Sequence, residues 1–294
     1  MSELPAGFRE FWELRANAAR AAVSGGTVGV MPLASASPAA RYAELVIEVP
    51  GARTLRARYV RPATDDPVPL VLAYPDWHQG VCGWHHLTRF VALGAAVVML
   101  DARALGWDAL DVTAGWEEAP EGLALAGAYT DALRAAAAAL ELSGIDQGRV
   151  SAWGEGLGGA AAVCVSALLG DESWRAAALN PLPAGIEHAF DAGVPTGPLA
   201  GITRRFRMSD PTRAQAPELA SALAYVDAAN LVQLVHGSVL VGTGSMDEQA
   251  PAAGQDALVA AAARASSVRQ VTYPRHAHER INEFENELVS FLAR

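Results

Sequence analysis

With 294 residues, 51% of them hydrophobic and 18% charged, the chain can bury a full core without disulfides or structural metals. Its formal net charge of −10 argues against nucleic acid and anionic membranes as partners. No apolar run reaches the ~18 residues of a membrane span. Residues 1–20 lack the apolar core of a signal peptide, and Cys82 and Cys164 form neither a metal-ligand spacing nor a disulfide framework, so a reducing, cytoplasmic setting is expected.

Residues 5–22 read as a helix with Phe8, Phe11, Trp12 and Leu14 on one stripe. Residues 24–39 are rich in Gly, Ser and Pro and read as an extended or looped passage. Alternating apolar positions over 42–49 and 55–60, separated by Gly51 and Ala52, predict an antiparallel hairpin. The pattern then changes to short continuous apolar runs, the mark of strands buried on both faces. Strands are expected at 69–74, 95–100, 149–153, 176–179, 238–242 and 267–273. Helices are expected between and after them at 83–93, 123–142, 159–169, 220–234, 251–265 and 280–292. Residues 183–217, with weak periodicity and several Gly and Pro, read as an insertion over the C-terminal edge of the sheet. A hairpin followed by alternating strands and helices predicts an α/β fold, a mostly parallel sheet with helices on both faces. The whole of 1–294 is expected to be one domain, with 1–62 as an N-terminal extension.

Ligands of such sheets bind at the carboxyl ends of the strands, and the chemistry-bearing residues fall there. Trp153-Gly154-Glu155-Gly156-Leu157-Gly158-Gly159 carries a strand through a tight turn into a helix of small residues. That is the setting of the nucleophile elbow, G-x-S-x-G, with Gly156 where the serine belongs. The same glycines (Gly154, Gly156, Gly159) fit a dinucleotide loop loosely, but such a loop should follow the first strand, and this one follows a middle strand. Downstream, Asp247 follows one strand and His278 follows the last, the order acid then histidine. An acid there would fix the imidazole tautomer, and the imidazole would deprotonate a nucleophile. Each also has a bland reading, Asp247 as a helix cap and His278 as a surface residue; their joint order and strand-end placement favour the catalytic one.

Together these motifs resemble the acetyl xylan esterase and cephalosporin C deacetylase family of α/β-hydrolases, over nearly the whole chain. Phe8-Arg9-Glu10-Phe11-Trp12 resembles its F-x-x-F-W opening. Asp101-Ala102-Arg103-Ala104-Leu105-Gly106 is similar to its D-x-R-G-x-G segment, and residues 225–230 to its Y-x-D-x-x-N helix. Met246-Asp247 and Tyr273-Pro274 with His278-Glu279 resemble its acid and histidine signatures. The resemblance implies deacetylation of sugars or related small esters by a Ser-His-Asp triad, no cofactor and no metal, and a homo-oligomer. It also implies an oxyanion hole from the backbone N–H groups of Trp77 and Leu157.

Two departures stand out. The serine is Gly156, by natural divergence or by design. The family's H-G-Y segment is Pro75-Asp76-Trp77, which brings a carboxylate beside a site meant for an oxyanion. Candidate substitutes for the serine are Glu155, Ser245, Cys82 and Cys164; each has a packing or structural reading as well. Trp84, His78 and Glu155 are expected to line the substrate pocket, with Trp77, His85, His86, Trp107 and Trp116 on nearby loops. Aromatic faces suit sugar rings, whereas some of these residues would instead anchor loops. The three histidines lack a carboxylate or cysteine at metal-ligand spacing. The expected function is an acetyl xylan esterase-like ester hydrolase impaired by Gly156, or a carbohydrate- or small-ligand-binding protein that has lost the chemistry. A serine at 156 is expected to cost little stability and to create esterase activity if Asp247 and His278 are poised.

Overall fold

The computed structural model describes residues 3–34 and 37–293. These residues form a nine-stranded sheet in the order β1-β2-β3-β5-β4-β6-β7-β8-β9. The strands are β1 (Thr27–Leu33), β2 (Ala40–Glu48), β3 (Leu55–Pro62), β4 (Val68–Tyr74), β5 (Ala96–Leu100), β6 (Ile145–Glu155), β7 (Arg175–Leu179), β8 (Ser238–Gly244) and β9 (Ser267–Tyr273). β1, β2 and β3 pair antiparallel, as do β3 and β5. From β5 through β4 to β9 every pairing is parallel. The expected hairpin and mostly parallel sheet are both present.

Two faces of the sheet carry separate apolar layers. Helix α1 (Phe8–Ser24) and two further helices, α3 (Ala124–Leu140) and α4 (Gly156–Leu169), pack on one face. Helix α2 (Trp84–Thr88), the 3₁₀ turn that follows it and the C-terminal helix α10 (Asn282–Leu292) cover the other. Alanine is what lets α3 and α4 lie close: Ala135, Ala136, Ala138, Ala160, Ala161 and Ala162 are all buried. Small side chains lower the helix-to-sheet distance and lose no rotamer entropy.

Two segments differ from expectation, and the expected extended or looped passage over 24–39 takes a definite form. Part of 24–39 is the edge strand β1, which shows almost no buried face along its length. With no face to hide, it carries no apolar alternation; positions 35 and 36 of that stretch lie outside the described residues. The 183–217 stretch is largely helical: α5 (Ile186–Ala192), α6 (Ala200–Met208) and the start of α7 (Ala216–Leu223). It is tied to the loop after β5 by Val112 N–H donating to Pro198 O at 3.0 Å and by Arg204 on Asp111 at 2.6 Å. The single helix expected over 220–234 is broken at Asp227. Its carboxylate caps a new start at α8 (Ala228–Leu231) by accepting from Ala229 N–H at 2.8 Å, and also accepts from Gly185 and Ile186 N–H at 2.9 and 2.7 Å.

Candidate active site

Four parallel strands deliver their carboxyl ends to one place. β4 ends at Tyr74 and leads to Asp76. β6 ends at Glu155 and turns at Gly156 into α4. The loop after β8 carries Asp247, and the loop after β9 carries His278. The turn at β6 is tight because backbone approaches backbone. A Cβ on Gly154 would lie 2.3 Å from Gly158 C, and one on Gly158 would lie 2.2 Å from Tyr74 O, so neither position accepts a side chain. Gly156 sits in the left-handed region with φ +51°, the strained conformation that a nucleophile elbow imposes on its central residue.

His278 lies between two carboxylates. Its Nδ1 is 2.6 Å from Asp247 Oδ2, and its Nε2 is 2.7 Å from Asp76 Oδ2. A carboxylate only accepts hydrogen bonds, so both ring nitrogens carry protons and the ring is an imidazolium. Burial opposes that charge, but the hydrogen bonds and negative charges of Asp247 and Asp76 outweigh it and raise the imidazole pKa to about 10. Asp247, buried, is held in turn by Gln249 and Ala250 N–H, which donate to its Oδ1 at 2.8 and 2.9 Å.

The second oxygen of Asp76 is equally committed. Oδ1 accepts from Trp77 N–H at 2.7 Å and from Leu157 N–H at 2.9 Å. One carboxylate therefore touches the imidazole with one oxygen and two converging backbone donors with the other. The vacancy of a side chain at 156 is what admits it: a Cβ there would lie 1.8 Å from Asp76 Oδ1 and 2.3 Å from its Cγ. A serine at 156 and the Asp76 carboxylate cannot occupy the same volume, so the activity expected of Gly156→Ser alone requires Asp76 to move aside.

Asn180, at the end of β7, is a positioning residue that sequence reading passed over. Its Oδ1 accepts from Gly244 N–H at 2.6 Å and its Nδ2 donates to Ala277 O at 3.2 Å. It thus fastens the β8 end to the residue before His278. Its φ of +46°, which Asn tolerates well, belongs to the fold; in the sequence the one signal was an Asn directly after a buried strand.

The other candidates are engaged elsewhere. Glu155 is buried and accepts from Arg280 Nε at 3.3 Å; burial pushes its carboxyl up against the pull of that guanidinium. Arg280 also reaches His86 Nδ1 at 3.0 Å and Glu285 Oε1 at 3.4 Å. Burial likewise raises the Cys82 and Cys164 thiols, opposite to the direction an activated nucleophile requires. Ser245 is exposed. Trp84 meets Tyr42 edge-on at 5.6 Å beneath Arg58, and Trp107 is fully buried, the anchor reading. The His78 ring lies against Trp77, with centroids 3.4 Å apart and planes tilted by 46°. Among the described residues no cluster of three His, Cys, Asp or Glu side chains could hold a metal ion, and no helix is long and apolar enough to cross a membrane.

A mostly parallel sheet of this order with helices on both faces fits the α/β-hydrolase fold. The family described as acetyl xylan esterase (AXE1) matches residues 1–294, and the chain belongs to that family. Acetyl xylan esterase 1 from Thermoanaerobacterium sp. JW/SL YS485 is similar in fold, with a TM-score of 0.84 at 21% identity over 100% of this chain and 95% of that one. An acetyl xylan esterase from Paenibacillus sp. R4 gives a TM-score of 0.80 at 18% identity over 98% of both chains. A cold-adapted esterase from an Arctic intertidal metagenomic library gives 0.59 at 16% identity over 91% of this chain and 98% of that one. No curated protein sequence matches significantly.

The family signatures acquire structural meaning. Trp12 of the opening motif donates its Nε1–H to Tyr225 O at 2.8 Å, and Phe11 meets the Tyr225 ring edge-on at 5.3 Å. Tyr225 Oη also bonds Ala6 O. The first helix is thus locked to the segment whose Asp227 caps α8 and holds the turn into α5.

Proposed function

We propose that this chain has the fold and the acid–histidine pair of an acetyl xylan esterase-like ester hydrolase but that serine-dependent deacetylation is closed to it. Gly156 stands at the position of the nucleophile and offers no atom to form an acyl-enzyme. The observation that carries this reading is the placement of Asp76. One of its oxygens lies on the Trp77 and Leu157 N–H groups that would bind the oxyanion. The other lies on the His278 nitrogen that would activate a hydroxyl or a water.

Both consequences oppose acyl transfer. Charge developing on an ester carbonyl oxygen would meet a carboxylate instead of free donors. An imidazolium has no lone pair with which to take a proton, so direct attack by water is hindered as well. Loss of a triad nucleophile lowers turnover about a millionfold, and Asp76 removes the oxyanion hole that usually supports the residue of activity.

The same contact favours ligand binding without turnover as the second reading. The carboxylate satisfies the backbone donors at the acyl end of the site, so a sugar or small ester would be held through other groups. Acetate release from acetylated xylose, measured beside calorimetric binding of the same sugar, tests both. Release at the buffer rate is expected. Release that disappears in His278→Ala would refute closure. Binding without release supports the second reading, and absence of binding would remove acetylated sugars as its ligand.

A further inference from the structure

The reciprocal positions of Gly156 and Asp76 carry a second consequence. A carboxylate with one oxygen pinned by two backbone N–H groups and the other directed at an acid-paired histidine is organised as a nucleophile. Its Oδ1 already sits where negative charge would develop if its own Cγ were attacked. An ester formed on Oδ2 would therefore be poised for hydrolysis, with Trp77 and Leu157 N–H as its oxyanion hole. Acyl esters do not suit this arrangement, because the hole is filled by the nucleophile itself. A saturated carbon does, since displacement at such a carbon creates no oxyanion on the substrate.

The protonation pattern narrows the leaving group. Among the described residues, His278 is the titratable side chain that hydrogen-bonds Asp76, and it lies on the attacking oxygen. In-line displacement sends the leaving group to the opposite side of the carbon. A group that departs as a stable anion without taking a proton fits, as a halide does.

We infer that Asp76 is the nucleophile of a hydrolytic displacement at saturated carbon, acting on alkyl halides or similar alkylating electrophiles. The inference rests on the reading of the 156 slot and the Trp77–Leu157 hole given above. An Asp76 Oδ2 lone pair forms the bond to carbon while the carbon–halogen bond breaks and its electron pair leaves with the halide. Asp76 becomes a neutral alkyl ester. His278 then loses one of its two counter-charges and releases its Nε2 proton to solvent. Neutral Nε2 takes a proton from a water that attacks Asp76 Cγ, and the negative charge falls on Oδ1. Collapse breaks the bond from Cγ to Oδ2, the oxygen that bears the alkyl group, and the water-derived oxygen stays on Cγ. The departing alkoxide takes the hydroxyl proton left on Cγ. The carboxylate and imidazolium are restored, and the net reaction is alkyl halide plus water to alcohol, halide and a proton.

The test uses the full chain with n-butyl bromide as the probe. In His278→Gln the ester should persist, so the peptide containing Asp76 should gain one butyl group by mass spectrometry. In the unaltered protein, a single turnover in heavy-oxygen water should release bromide, give alcohol with light oxygen, and leave one heavy oxygen in Asp76. Asp76→Asn, which keeps the shape and can still accept from Trp77 and Leu157, should lose adduct, label and bromide release alike. No butyl group and no heavy oxygen at Asp76, or alkylation confined to Cys82, would overturn the inference. Failure here together with esterase activity in a Gly156→Ser/Asp76→Gly double variant would sink the displacement chemistry alone. Failure of both would sink the reading of the slot.

Discussion

Replacing Gly156 by serine places a Cβ 1.8 Å from Asp76 Oδ1, so the single variant must displace that oxygen. Displacing Oδ1 breaks its two charge-assisted bonds, to Trp77 and Leu157 N–H, worth ~1.5–3 kcal/mol each. A left-handed φ adds ~1 kcal/mol for any residue with a Cβ. Gly156→Ser should therefore cost about 4–7 kcal/mol, a large share of a typical ~5–15 kcal/mol of total stability. Asp76→Gly, the residue that the family resemblance puts at this position, removes the obstacle and frees both donors. It also leaves Asp247 as the one carboxylate on His278, so the imidazole can act as a base. The double variant should hydrolyse p-nitrophenyl acetate at least ~10³-fold faster than either single variant, well within the ~10⁶ that a triad nucleophile contributes. Urea melts should show Gly156→Ser recovering most of its lost stability in the Asp76→Gly background, a coupling of several kcal/mol in the cycle. A double variant no faster than Asp76→Gly, with additive stabilities, would refute the claim that Gly156 and Asp76 share one volume facing His278.

In that double variant, Asp247→Asn should lower esterase turnover by about 10⁴, because an amide favours the wrong imidazole tautomer; unchanged initial rates would detach Asp247 from His278. Stability of the unaltered chain should fall with rising pH. The imidazole pKa rises from 6.5 to about 10 on folding, so its contribution, at most about 5 kcal/mol, is fully present below pH 6.5 and lost as pH climbs through 10. Thermal melts across that window should show the decline, and a flatter profile in Asp76→Asn; identical slopes would contradict the doubly paired imidazolium. Asp227→Ala leaves Gly185, Ile186 and Ala229 N–H without their acceptor and should cost ~3–5 kcal/mol in urea unfolding. A loss below ~1 kcal/mol would show that this cap does not hold the turn into α5.

Much of the fold was legible because burial on two faces writes itself into short apolar runs. β4, β5 and β7 are nearly all buried, and each appears in the sequence as a continuous apolar stretch. β1 was not legible, since an edge strand with an exposed surface has no periodicity to impose. The break of the 220–234 helix at Asp227 was missed for a different reason. Alanine-rich sequence is equally content on either side of a cap, and the decision is made by Gly185 and Ile186, about forty positions away.

The site divides along the same line. Chain order alone was enough to nominate Asp247 and His278, because each follows a strand and strands of a parallel sheet end on one side. Gly156 was visible as a missing side chain. What the linear sequence could not express is that the space so vacated lies against Asp76, a residue eighty positions earlier that fills it and reaches both His278 and the Leu157 N–H. An absent Cβ is a local fact, written at one position. Which atoms enter the space it leaves depends on how two strands, β4 and β6, pair side by side, and only the folded sheet brings them within a hydrogen bond of each other.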